Sequence, residues 1–242
     1  VCTVTFISGK DRCFITSNRD ERTARKAALA PAHYTVNGNI LAYPKDMDAG
    51  GTWITMTGNA GAAVLLNGAF GKHVPSPPYQ RSRGLVFTEI HSSNKPVIFF
   101  KEMELARIEP FTMIILENNR LHECRWDGSR KHCSPLSSCK SHIWSSTTLY
   151  DEATIQKREQ WFEQWLHKNM EPTTENIMRF HHFAGDGDTG NDLCMNRDNT
   201  ILTVSITSME VGRDMGRMLY HDLKSNTRHT LELAFTPAIT AL

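Results

Sequence analysis

The sequence predicts an α+β fold built from two mainly antiparallel sheets lying face to face, with helices on their outer sides. Three observations lead there. Candidate elements alternate as hairpins, helices, hairpins, helices and hairpins; few strand–helix–strand crossovers can be drawn among them; and 242 residues with 40% hydrophobic content suffice for one sizeable core. No second domain is required, so residues 1–242 are read as one.

The chain opens on a hairpin. Thr3, Val4, Thr5, Phe6 and Ile7 form a β-type run, Gly9-Lys10-Asp11 marks a turn, and Cys13 to Thr16 leads back. At roughly 3.3 Å per residue, this returns Asn18, Arg19 and Asp20 to the neighbourhood of Cys2. Glu21 to Lys26 is charged and reads as helical or irregular, and Ala27 to Ala32 as a packed turn. Asn39 to Pro44 is a short strand ended by its proline. Gly50 and Gly51 permit backbone conformations that a Cβ forbids, in a turn that seats Trp53 in the core and shapes a pocket wall. Trp53 to Thr57 and Ala62 to Asn67 form a second hairpin around Gly58-Asn59-Ala60-Gly61. Its second strand is apolar on both faces, as a strand between layers would be.

Residues 68–81 hold too many glycines and prolines for regular structure and read as a long loop, of the kind that walls or covers a site. Helices follow over Leu85 to Ile90 and Pro96 to Ile108. Phe111 to Leu116 and Leu121 to Trp126 make another hairpin, and His142 to Tyr150 a further strand. Asp151 caps the clearest helix, which runs to Asn169 with Ile155, Arg158, Trp161, Phe162, Trp165 and Leu166 on its core side. Glu175 to Ala184 is helical, and its adjacent His181 and His182 point to different faces. Leu193 to Arg197 and Ile201 to Ser208 form a late hairpin. Strands near Arg217–Tyr220 and Arg228–Phe235 complete the sheet.

Two metal patterns dissolve on inspection. His122, Cys124, His132, Cys133, Cys139 and His142 do not make two closely spaced ligand pairs, so no zinc site is expected. The stretch from Gly185 to Asp192 has Arg197 where a calcium loop starting at Asp186 needs an acidic residue. It reads as a polar loop at the mouth of a site. No cofactor is expected. A formal charge of +1 argues against a nucleic-acid binder, and no run approaches 18 apolar residues, so no spanning helix is expected. Six unevenly spaced cysteines and the lack of a visible secretory signal read as free thiols in a reducing cytoplasm, although a chain whose leader had been removed would look the same.

The chemistry-bearing residues sit at the start. A thiol needs a base, and a chain beginning at cysteine carries one in its own α-amino group, whose pKa of about 7.7–8.0 leaves much of it neutral. Arginine nearby favours the thiolate, and aspartate can orient the amine. Spacing alone does not separate this from the plainer reading of a buried cysteine and a surface Arg–Asp pair. Val1 bears on the base: the amine belongs to cysteine only if Val1 is removed or is a misread start.

Cys2-Thr3-Val4, Asn18-Arg19-Asp20-Glu21, Gly50-Gly51-Thr52-Trp53, Leu66-Asn67 and Ser82-Arg83-Gly84, in this order, resemble the NRDE family, which includes the transport and Golgi organisation 2 proteins. That family resembles a branch of the N-terminal-nucleophile (Ntn) hydrolases, which implies a four-layer αββα sandwich and amide cleavage by an N-terminal cysteine. The resemblance implies Cys2 as nucleophile, Asp20 as holder of the amine, Arg19 as keeper of a polar pocket, and Asn67 with Ser146 as oxyanion donors. It implies Asn18, Trp53, Arg83 and Arg197 as substrate contacts. Two positions depart from the amidase relatives: Ser146 stands where they carry an asparagine, and Ser17 where their arginine precedes the asparagine. The expected partner is a small amide or acyl substrate. The alternative is a non-catalytic protein carrying haem, lipid or acyl-CoA in the same pocket, Cys2 being a conceivable thiolate ligand to haem iron.

Overall fold

Side-chain alternation needs paired strands to become a sheet, and the opening hairpin supplies the first pair. In the computed structural model, which describes residues 2–236, β1 (Thr3–Ser8) pairs antiparallel with β2 (Cys13–Arg22), Thr3 opposite Asn18. Val1 lies outside the described residues, and with it the question of its removal. β2 continues through Glu21 and Arg22, where the sequence suggested helix or coil, because β12 (Ile201–Val211) pairs along its whole length. The first sheet has the order β10 (His142–Ser145), β1, β2, β12, β13 (Met215–Asp222), β14 (Thr227–Ala234), with β11 (Asn196–Arg197) pairing β12. The run read as a strand to Tyr150 leaves the sheet after Ser145.

The second sheet follows the chain. Its order is β3 (Leu29–Val36), β4 (Asn39–Lys45), β5 (Ile54–Thr57), β6 (Gly61–Asn67), β7 (Phe111–Glu117), β8 (Arg120–Trp126), β9 (Lys131–Leu136). Two of these strands escaped the sequence reading. β3 occupies the stretch read partly as a packed turn; it is a half-exposed edge strand, so no clean alternation marks it. β9 is the opposite edge, equally exposed.

Between the sheets, Val4, Phe6, Ile15 and Met209 pack against Ile54, Met56, Val64 and Ile114. Burying each such side chain contributes roughly 1.5–3 kcal/mol. α1 (Arg83–His91) and α2 (Pro96–Glu102) lay Phe87, Ile90 and Phe100 on the outer face of the second sheet. α2 stops six residues short of the expected Ile108, since Met103 turns extended and Arg107 takes a positive φ of 59°. α3 (Glu152–Lys168) and α4 (Thr174–Phe183) cover the first sheet through Phe162, Ile177 and Phe180 against Ile7 and Phe14. Asp151 caps α3 as expected, accepting from Thr154 N–H at 2.9 Å, and Thr173 caps α4, accepting from Asn176 N–H at 3.2 Å. The result is an αββα sandwich.

Two of the glycine motifs meet here. A Cβ on Gly51 would collide with the backbone of Gly84 at the start of α1, and one on Gly84 would sit 3.0 Å from the Thr52 carbonyl oxygen. Gly50-Gly51 and Ser82-Arg83-Gly84 are therefore one backbone-to-backbone contact, which brings Trp53 and Arg83 to the same end of the sandwich.

Candidate active site

Cys2 stands just ahead of β1, held by its own backbone. Its N–H donates to the Asn18 carbonyl at 3.1 Å, and its carbonyl accepts from Ser146 N–H at 2.7 Å. The thiol lies 3.7 Å from the Asp20 carbonyl oxygen, buried with Tyr150 and Met195. Burial, with Asp20 adding to it, pushes the Cys2 thiol up to about 12.

Asp20 is fully engaged. Tyr150 donates its hydroxyl to Oδ2 at 2.5 Å and Thr203 donates to Oδ1 at 2.6 Å. Thr203 reaches it because β12 shifts register between Thr203 and Ser205, opposite Asp20 and Arg19. The Arg158 guanidinium lies 3.6 Å from the centroid of the Tyr150 ring and donates to the Asp192 carbonyl at 2.7 Å, the Asn191 carbonyl at 3.0 Å and the Thr3 hydroxyl. Burial, followed by Asp20, keeps the Tyr150 hydroxyl protonated well beyond its ordinary range.

Alternation along β2 sends Asn18 and Arg19 to opposite faces. Asn18 points toward α4, where its Nδ2 donates to the His181 carbonyl at 3.0 Å and the Leu193 carbonyl at 2.7 Å. Its Oδ1 pairs with His181 Nδ1 at 2.5 Å, and Thr5 pairs with His181 Nε2 at 2.8 Å. The network assigns the proton to Nδ1, since Asn18 Oδ1 only accepts. Burial, then Arg158, pulls the His181 pKa down to about 3. Arg19 faces the other way: its Nη2 lies 2.6 Å from Asp46 Oδ2, and its guanidinium 4.5 Å from the centroid of the Trp53 ring. Burial opposes ionisation of Asp46, but Ala49 N–H, Arg25 and Arg19 outweigh it and hold that carboxyl below its usual range.

Beside Arg19 lies a cavity of about 720 Å³, walled partly by the 68–81 loop. Trp53, Asn67 and Arg83 line it. Arg83 bonds the Pro110 carbonyl at 3.3 Å and pairs with Glu109 at 3.2 Å. Six lysines and arginines (Arg19, Arg22, Arg25, Lys72, Arg81, Arg83) face three carboxyl groups (Glu21, Asp46, Glu109). Cys2 is not among the lining residues. It connects to the cavity through Ser146, whose hydroxyl donates to the Asn67 carbonyl at 2.9 Å and lies 2.9 Å from Thr148 Oγ1.

The structure thus gathers Cys2, Asp20, Asn67 and Ser146 at one junction of the two sheets, with Arg19, Trp53 and Arg83 in the adjoining cavity. It does not bring Asn18 or Arg197 to that cavity. Arg197 sits behind Tyr150, 5.3 Å from its ring centroid, bonded to the Leu149 carbonyl at 3.0 Å, the Gly190 carbonyl at 2.9 Å and Asn191 Oδ1 at 3.1 Å. Asp46, Tyr150, Arg158 and Thr203 were not singled out from the sequence as parts of a site. The one signal available was Arg158, an arginine inside an apolar helix stripe, which must find partners when buried. No group of three or more His, Cys, Asp or Glu among the described residues could hold a metal ion, and no helix there is long and apolar enough to cross a membrane.

A family profile described as Transport and Golgi organisation 2 matches residues 3–206. No curated protein matches the chain. Among solved structures, the N-acylethanolamine-hydrolyzing acid amidase ortholog of Caenorhabditis elegans is 14% identical with a TM-score of 0.57, over 86% of this chain and 92% of that one. A variant of the conjugated bile acid hydrolase from Clostridium perfringens is 10% identical with a TM-score of 0.50, over 95% of this chain and 92% of that one. At these identities the likeness establishes the fold, that of the Ntn hydrolases, and leaves the reaction to the residues.

Proposed function

Since the chain belongs to the Transport and Golgi organisation 2 family, we propose that it is an N-terminal-cysteine hydrolase, cleaving a small amide or related acyl bond through an acyl-thioester. The observation that carries this is the junction of Cys2, Asp20, Ser146 and Asn67. Once Cys2 is the first residue, its amine lies beside the Asn18 carbonyl and its thiol beside Asp20. The amine takes the thiol proton, the sulfur attacks the carbonyl carbon, and the leaving amine takes the proton back. The resulting thioester is hydrolysed by water. Asn67 through its backbone N–H, and the Ser146 hydroxyl once released from the Asn67 carbonyl, would bind the oxyanion. Such donors contribute about 2.7–4 kcal/mol each. Freeing the amine also places a second titratable group against a thiol that burial otherwise holds neutral.

The test is a screen of small amides and lactams with protein whose first residue is verified as Cys2 by intact mass and N-terminal sequencing. Turnover should fall by at least about 10³-fold in Cys2→Ala, and a hydroxylamine-labile acyl adduct should map to Cys2. Equal rates in wild type and Cys2→Ala, with no adduct, would sink the proposal.

A second reading is favoured by the cavity's excess of cations and by the thiol's absence from its lining. It is binding without chemistry of haem, lipid or acyl-CoA, whose carboxylate or phosphate groups would meet Arg19, Arg83 and Lys72. Titrating haem and an acyl-CoA into wild type and Cys2→Ala separates the readings: binding that survives the substitution, without turnover, favours carriage.

A further inference from the structure

The second sheet holds two thiols that neither reading uses. Cys124 on β8 stands directly opposite Cys133 on β9. The turn joining these strands is closed by Asp127 N–H on the Arg130 carbonyl at 3.2 Å. Pairs in an antiparallel ladder alternate between hydrogen-bonded and non-hydrogen-bonded. Counting back through Trp126–Lys131 and Arg125–His132 puts Cys124–Cys133 at a non-hydrogen-bonded position. The Cα atoms of such a pair are about 4.5 Å apart, inside the roughly 4.4–6.8 Å that a disulfide spans. Both side chains point to the layer of α2, where Cys124 is buried and Cys133, half-buried, packs against the same apolar cluster as Phe99 and Met103. Their sulfurs are 2.7 Å apart.

We propose that Cys124 and Cys133 form a reversible disulfide site, oxidised by a low-molecular-weight disulfide such as oxidised glutathione. Cys133 is the entry point, being the more accessible sulfur. A hydrogen bond from Cys124, helped by Lys101 against burial, lowers its pKa and favours the thiolate. The Cys133 thiolate attacks one sulfur of the oxidant, forming a mixed disulfide and expelling one thiolate. Cys124 then loses its proton and attacks the Cys133 sulfur, expelling the second thiolate. The two protein thiol protons end on the two released small thiols, so the protein loses two electrons and the oxidant gains them.

The bridge would fasten an edge strand that is otherwise held on one side only. Lys131 of β9 donates to the Lys101 carbonyl at 2.8 Å and to the Met103 carbonyl at the end of α2. Arg125 of β8 donates to the Ala69 carbonyl of the cavity loop. Oxidation therefore stiffens a strand pair tied on one face to a helix and on the other to the 68–81 loop.

The experiment is to reduce the full chain, remove the reductant, equilibrate it with glutathione buffers of increasing oxidation, quench with acid, alkylate and map peptides. The expected result is a linked pair of peptides containing Cys124 and Cys133, losing two hydrogens, formed before Cys139 or Cys194 is modified, and undone by reduced glutathione. In Cys124→Ser the glutathione should stay on Cys133. Full alkylation of both cysteines in the most oxidised buffer would overturn the proposal. So would glutathione retained on Cys133 in the wild-type chain, or a bridge to another cysteine.

Discussion

The two faces of β2 differ in how their polar groups are engaged. On the helix side, Asn18, Asp20, His181, Thr5, Tyr150 and Arg158 form a closed polar layer in which each is bonded to protein groups. On the sheet side, Arg19 joins a cavity wall rich in cations, with Lys72 lacking any carboxyl partner within salt-bridge range among the described residues. The difference teaches that Asn18-Arg19-Asp20 is not one constellation. The asparagine is bound into the helix layer, the aspartate holds Tyr150 and Thr203 beside Cys2, and the arginine borders the cavity.

If that division holds, substitutions behind the strand should cost stability, and substitutions in the cavity should cost binding. The largest expected effect is Arg158→Met, which strands two backbone carbonyls and the Thr3 hydroxyl. We predict a loss of about 3–5 kcal/mol in chemical denaturation; a change under about 1 kcal/mol would erase the contrast. Gly51→Ala should follow at about 2–4 kcal/mol, because backbone rather than a movable side chain meets the new methyl. It tests whether the cavity end, so open in its side chains, is rigid in its backbone.

Acid should act on the closed side. His181 is neutral in the fold, with its pKa near 3 against an ordinary 6.5. Below 6.5 the unfolded chain takes up a proton that the fold refuses, so stability falls as pH drops from 6.5 toward 3. His91, pulled down to about 4 by burial, adds to the fall over much of the same window. One such proton sets a slope of about 1.4 kcal/mol per pH unit. Denaturation of wild type and His181→Gln across the window should show the slope reduced by about one proton in the variant; an unchanged slope would show that His181 is not sealed. The smallest effect on stability is expected from Lys72→Ala, within about 0.5 kcal/mol, while affinity for an anionic ligand of the cavity falls several-fold. A stability loss without a binding change would invert the comparison.

How legible this was depended on how far each feature reached along the chain. The opening hairpin and the return of Asp20 to Cys2 could be read because they follow from strand rise and one turn. α3 was legible from its Asp151 cap and its apolar stripe. β3 and β9 were not, since edge strands carry little alternation. Asn18 could have been placed correctly by the same period of two that built the hairpin, had the family resemblance not grouped it with Arg19. Tyr150 and Thr203 could not, because their meeting on Asp20 spans 130 and 183 residues of sequence and depends on a bulge in β12.

The two sheets also differ in when they can exist. The second is assembled from neighbours in sequence, between residues 29 and 136, so each strand finds its partner soon after it is made. The first joins β2 to β12 and cannot close until the residues up to Val211 are available. Contacts of such long separation form late and slowly. During synthesis, Cys2 and Asp20 would emerge well before Thr203 and the rest of β12, and would take up their final arrangement only once that strand has arrived.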